Sequence, residues 1–180
     1  LANKPILALL SGSRKQEIKD NLPTMLKVAS AYPDYQPVIA GAPGIDPAYY
    51  QEYIGSYPAK IVFGKTYPLL QHSAAALVTS GTATLETALF RVPQVVCYYV
   101  VAGQLASFIF KHFFHTKYIS LVNLIGGREI VQELFGARFS ESQIQDELGR
   151  ILQDPAYRKR MLDGYDKIIP VSYTHLRAHE

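Results

Sequence analysis

The stretch VTSGTATLETAL, residues 78–89, changes its period in the middle. It begins as the end of an apolar run, AALVTS (75–80), whose β-branched residues suit a buried strand. It ends with Leu85, Ala88 and Leu89 at helical spacing. Gly81 stands at the junction between Ser80 and Thr82, and Glu86 follows one turn later. A strand that runs through glycine and hydroxyls straight into a helix is one half of a βαβ unit.

Outward from this stretch, the same alternation repeats. PILALL (5–10) reads as a strand ending at Ser-Gly-Ser, followed by helical spacing over 14–31 with Ile18, Leu22, Met25, Leu26 and Ala29 on one face. Pro23 inside it marks either a kink or the true first turn. PVIAGAP (37–43) reads as a second strand and loop, and Asp46 as the cap of a short helix, PAYYQEYI. KIVFG (60–64) is a third strand, TYPLLQHS (66–73) a short helix and AALVTS the fourth strand. Pro93 stops the helix that follows, and QVVCYYV (94–100) is the fifth strand. Further helices are expected at about 103–114, 129–135, 140–152 and 155–165. Strands apolar on both faces, alternating with helices, predict an α/β domain: a Rossmann-like doubly wound parallel sheet.

The totals agree and narrow the function. In 180 residues, 48% are hydrophobic and 18% charged, which is the balance of one globular α/β domain and excludes a disordered chain. A net charge of +3 suits anionic ligands or an anionic membrane surface, without the dense basic stripe of a nucleic-acid binder. The single Cys97 excludes an internal disulfide and suits a reducing compartment. No window holds ~18 uninterrupted apolar residues, so no spanning helix is expected. The chain starts at Leu1 without Met or signal peptide and goes straight into a strand, as a piece of a longer protein would. The domain is expected over 1–168. VSYTHLRAHE (171–180) continues none of the preceding pattern and reads as translated sequencing-adapter sequence, so 169–180 are expected to be a non-native tail. His175 and His179 are therefore not counted as a metal pair.

In a doubly wound sheet, ligands bind beyond the carboxyl ends of the strands. Two such ends are glycine-containing here, LLSGSRKQE and VTSGTATLE. Each leads to a helix N-terminus, with its free N–H groups and about half a positive charge. Gly12 and Gly81 allow close approach to the backbone. Ser13, Ser80 and Thr82 offer hydroxyls, and Arg14 adds a fork of donors suited to phosphate. Ser and Thr at a helix start also serve simply as caps, and either junction alone leaves both readings open. Two junctions on one sheet favour a diphosphate. Neither is a Walker loop or GxGxxG. Glu86 would repel a phosphate but suits the paired hydroxyls of a ribose, although a lone Glu there more often just stabilises the helix. FIFKHFFHTK (108–117) mixes four Phe with Lys111, His112, His115 and Lys117, either as a core helix with a solvated edge or as an apolar, basic patch for a membrane or a greasy substrate. His112 and His115 lack a third ligand and are set aside as a metal pair. Asn123, Arg128 and Glu129, around Gly126-Gly127, are expected at the same carboxyl edge as the two glycine turns.

Taken together, LLSGSRKQEI, VTSGTATLETAL, VPQVVCY and KYISLVNLIGGREIVQEL, in this order and spacing, resemble the lipid-A-disaccharide synthase family over residues 5–165. The second block also resembles the donor-side motif of the class-B glycosyltransferase fold. The resemblance implies the UDP-sugar-binding half of that fold, with the diphosphate held at Gly12, Ser13, Arg14, Ser80, Gly81 and Thr82, and the ribose by Glu86. It implies uracil beside Lys65, Thr66 and Tyr67, and the sugar or acceptor beside Asn123, Arg128 and Glu129. The implied reaction transfers 2,3-diacylglucosamine from UDP to 2,3-diacylglucosamine 1-phosphate, with inversion and with neither cofactor nor metal. The implied setting is cytoplasmic, peripheral on the inner membrane of a Gram-negative bacterium, with no nucleic-acid partner; a homodimer of the longer enzyme is compatible with it.

Three departures stand against the family pattern. Ser11 replaces a usual Pro, Val122 replaces a frequent Pro, and the N-terminal acceptor domain and C-terminal crossover segment are missing. The family's general base is expected in the missing domain, so none is assigned and the fragment alone is expected to be inactive. The alternatives are a UDP-sugar-binding module without catalysis and a UDP-sugar 2-epimerase. The second would need acid–base residues beside the cradle, and none is found there.

Overall fold

In the computed structural model, residues 3–79, 81–100 and 118–177 are described, the last seven by backbone only. Six parallel strands form one sheet: β1 (Ile6–Leu10), β2 (Gln36–Gly41), β3 (Lys60–Phe63), β4 (Ser73–Val78), β5 (Gln94–Tyr98) and β6 (Glu133–Phe135). Their order is β3-β2-β1-β4-β5-β6. The helices are α1 (Lys15–Ser30), α2 (Pro47–Ile54), α3 (Thr66–Gln71), α4 (Thr82–Leu89), α5 (Leu121–Gly126), α6 (Glu141–Gln153) and α7 (Pro155–Arg177). The direction of winding reverses between β1 and β4, and a doubly wound sheet opens a crevice at such a point.

Side-chain alternation along the strands feeds two apolar layers. Leu7, Leu9, Ile39 and Leu77 join Ile18, Leu22, Met25 and Leu26 of α1. Ala8, Leu10, Val38, Ala76 and Val78 join Leu69 and Leu70 of α3. Each fully buried aliphatic side chain contributes roughly 1.5–3 kcal/mol as an upper bound, which is what holds the six- and eight-residue helices that are too short to persist alone. Pro23 lies inside a continuous α1, so it is not the first turn. Asp46 caps α2 as expected, its carboxylate accepting from the Ala48 N–H at 2.8 Å. Cys97 is fully buried, and burial pushes its thiol up to about 12.

Three expectations change. The helix expected over 129–135 is instead a loop and the edge strand β6, paired with β5 at Val96↔Glu133. Side chains take over the backbone groups that such a helix would use. Asn123 Oδ1 accepts from the Ile130 and Val131 N–H groups at 2.7 and 3.1 Å, and its Nδ2 donates to the Val131 carbonyl at 2.9 Å. The helical turn in this region lies earlier, at α5, capped by Ser120. Second, β6 runs parallel to β5, so the loop carrying Arg128 and Glu129 enters at the amino edge of the sheet, not at the carboxyl edge with the glycine turns. Third, α7 continues past the expected end at Tyr165 to Arg177, with Ile168 buried beside Gly126. The helix expected at 103–114 lies outside the described residues.

Candidate functional site

β1 and β4 end level, Leu10 pairing with Val78. Thr79 fixes this junction: its N–H donates to the Leu10 carbonyl at 3.1 Å, and its hydroxyl to the same oxygen at 3.3 Å. The chain leaves β1 through Gly12 at φ 110° and approaches α4 through Gly81 at φ 105°. With ψ −159°, Gly81 occupies a region open essentially to glycine alone. A β-carbon on Gly12 would stand 2.6 Å from Glu17 Cβ, whereas one on Gly81 would meet nothing within 4 Å. One glycine therefore serves close internal packing, and the other faces open space.

That space is a cavity of about 400 Å³ at the carboxyl edge. Gly12, Ser13 and Glu17 line it from β1 and α1, and Thr79, Gly81, Thr82 and Glu86 from β4 and α4. Ala42 and Pro43 close it from the β2 side, where the Ala42 N–H donates to Tyr50 Oη at 2.8 Å. The residue at each helix boundary, Arg14 for α1 and Gly81 for α4, makes no side-chain capping bond. First-turn N–H groups without a side-chain cap are donors for an anion. The cavity thus combines two helix N-termini, backbone open to close approach and hydroxyl donors.

Glu86 is half-buried in the wall. Burial pushes its carboxyl above the usual carboxylate range, and the Tyr67 hydroxyl, donating to Oε1 at 3.4 Å, works against that shift. The Tyr67 ring lies 5.3 Å from that of Phe90. A partly desolvated carboxylate one turn above a helix N-terminus is placed to accept from a neutral diol.

The profile of the family described as lipid-A-disaccharide synthetase matches residues 1–172. The chain belongs to the lipid-A-disaccharide synthetase family. It is 35% identical over 174 residues to a lipid-A-disaccharide synthase of Anaeromyxobacter dehalogenans (strain 2CP-1 / ATCC BAA-258), covering 89% of this chain and 43% of the relative. It is 31% identical over 171 residues to that of Rhodospirillum centenum, covering 91% and 42%. The chain thus spans less than half the length of these relatives. Among solved structures it resembles the spinosyn rhamnosyltransferase SpnG complexed with thymidine diphosphate (TM-score 0.62, 15% identity, 93% of this chain and 42% of that one). It also resembles the calicheamicin glycosyltransferase CalG4 (0.59, 19%, 94% and 39%). A UDP-GlcNAc 2-epimerase from Neisseria meningitidis bound to UDP-GlcNAc is comparably similar (0.59, 14%, 95% and 45%). At these identities the likeness is one of fold, and the fold is the expected Rossmann-like parallel sheet, shared by glycosyltransferases and an epimerase.

Within this family member, the structure gathers Gly12, Ser13, Gly81, Thr82, Glu86 and Thr66 around one cavity. Ser80 lies outside the described residues, as does the whole 108–117 segment. Arg14 and Lys65 are exposed and do not line the cavity; Tyr67 reaches it through Glu86. Asn123 is fully buried with its amide committed to the 130–131 backbone, and Arg128 and Glu129 line a separate hollow of about 220 Å³ with Tyr157 and Arg160. Sequence reasoning gave Glu17 no role, although it lines the cavity. Its one signal was an acid in the first turn of the helix that follows a glycine turn.

Proposed function

We propose that this chain is the donor-binding half of a lipid-A-disaccharide synthase. The complete enzyme transfers 2,3-diacylglucosamine from UDP to the 6-hydroxyl of 2,3-diacylglucosamine 1-phosphate, giving the β-1,6-linked disaccharide phosphate and UDP. Support comes from family membership, and the observation that carries the site is the cavity between the two glycine turns of β1 and β4, with helix N-termini on both sides. The diphosphate lies over Gly81 and Thr82 and against the Gly12–Ser13 turn, and Ser80, the residue before Gly81, is assigned to the same group. Arg14, at the start of α1, swings in as a further donor. Glu86 accepts from the ribose, and Thr66 and Tyr67 flank the uracil.

Transfer is a single displacement at the anomeric carbon. The acceptor oxygen forms the new bond as the bond to the UDP oxygen breaks, and the configuration inverts. Negative charge grows on the departing diphosphate, where preorganised N–H and hydroxyl donors stabilise it most. The general base then comes from the part of the enzyme outside this chain. The acylated substrates place the enzyme at the inner membrane, with Phe108, Phe110, Phe113 and Phe114 beside Lys111 and Lys117 as the contact segment. No helix among the described residues is long and apolar enough to cross a membrane.

Titration calorimetry of the chain with UDP, with and without EDTA, tests the cradle. Binding at millimolar affinity or better in both conditions is expected. Strict dependence on magnesium would count against two helix N-termini acting in place of a cation.

A further inference from the structure

The cavity holds a second carboxylate. Glu17, partly buried in the first turn of α1, lines it together with Glu86 of α4. A purely anion-binding pocket has no use for two acids, since each repels a phosphate oxygen. Nor is Glu17 a side chain passing through on its way to solvent. Its Oε2 lies 3.0 Å from the position of a β-carbon on Gly12, so the carboxylate folds back over the glycine turn. Its backbone is fixed as well. Its carbonyl accepts from Asn21 Nδ2 at 2.8 Å, and Asn21 Oδ1 in turn accepts from the Tyr99 N–H at 3.0 Å at the end of β5. The Lys15 carbonyl, two residues earlier, accepts from the Tyr49 hydroxyl at 2.8 Å.

The two acids reach the cavity from different strands, Glu17 after β1 and Glu86 after β4, and both glycine turns line the same cavity. A carboxylate accepts from hydroxyls and cannot accept from a phosphate. A nucleoside diphosphate offers one set of sugar hydroxyls, on its ribose. A nucleoside diphosphate sugar offers two, one at each end of the diphosphate. We infer that Glu17 is a specificity residue that accepts hydroxyls of the transferred sugar, as Glu86 accepts those of the ribose. This rests on the proposed donor site and deepens it. The pocket is composed for a nucleotide sugar, with an acid for each ring and donors for the diphosphate.

The test compares UDP with UDP-N-acetylglucosamine by titration calorimetry on the 180-residue chain and on its Glu17→Gln and Glu17→Asp variants. Removing the charge in Glu17→Gln should leave UDP affinity unchanged or raise it, because a repulsion disappears. The same change should weaken UDP-N-acetylglucosamine relative to UDP by about tenfold or more, the scale of one lost charged hydrogen bond. Glu17→Asp keeps the charge and shortens the reach, so it should weaken the sugar nucleotide without tightening UDP. Thermal melts of all three proteins confirm that they are folded. If wild type binds UDP and both variants shift the two ligands by the same factor, Glu17 does not read the sugar and the inference falls while the donor site stands. If wild type binds neither ligand, the donor site falls and the inference with it.

Discussion

The Tyr67 hydroxyl donates to Glu86 Oε1 at 3.4 Å, joining the start of α3 to the middle of α4 beside the cavity. Burial of Glu86 is the larger influence on its carboxyl, and that influence disfavours the charged form. A carboxyl raised in the folded state binds protons there more readily than in the unfolded chain. Stability therefore falls as pH rises from the unfolded value toward the folded one, and the penalty is fully present above it. Glu86→Gln should melt at a higher temperature than wild type at pH 7.5, with the gain shrinking toward pH 4. Differential scanning calorimetry across that range reads it, and a gain that is independent of pH would contradict the burial account.

The same carboxylate should be needed for the nucleoside and not for the diphosphate. Glu86→Ala is expected to weaken UDP by ~1.5–3 kcal/mol, the scale of a charged hydrogen bond, while pyrophosphate is nearly unaffected. Calorimetric titration of both ligands decides the matter. Equal losses would make Glu86 a residue that only stabilises α4.

Gly81 combines φ 105° with open space where a β-carbon would go. Gly81→Ala should cost ~1–3 kcal/mol of stability through backbone strain alone, and it should weaken pyrophosphate and UDP alike because the methyl group intrudes on the cradle. Chemical denaturation measures the first effect and titration the second. A variant that keeps both affinities would remove the α4 turn from the anion site.

Asn123 is expected to act on stability and not on the nucleotide. Asn123→Ala leaves the Ile130 and Val131 N–H groups and the Val131 carbonyl without their side-chain partner. At ~1–3 kcal/mol for each stranded buried group, the loss should be ~3 kcal/mol or more, a fall in Tm of very roughly 6–12 °C at this chain length. UDP affinity measured well below the melting temperature should be unchanged. Lost UDP binding with an unchanged Tm would instead return Asn123 to the ligand site, where its position in the sequence suggested it belongs.

The sequence alone was enough for the alternating elements and for the two glycine turns, because both depend on neighbours in the chain. Period, turn residues and the Asp46 cap are local physics, legible within a few residues. The same holds for the positions of Gly12 and Gly81 between strand and helix, whereas their positive φ values are a finding of the structure. What the tertiary structure decided involves groups far apart in sequence. Residues 129–135 have ordinary helical composition, yet the Asn123 amide and the exposed edge of β5 took over the backbone groups a helix would have used, and a strand formed. That strand's direction then carried Arg128 and Glu129 to the amino edge, which no local pattern could reveal. Glu17 entered the cavity by the same kind of cause. It is an ordinary acid at a helix start until the reversal between β1 and β4 sets it in one space with Glu86, more than sixty residues away. Local backbone preference fixes the elements; the order of strands fixes which side chains share a site, and that order is set by packing across the whole sheet.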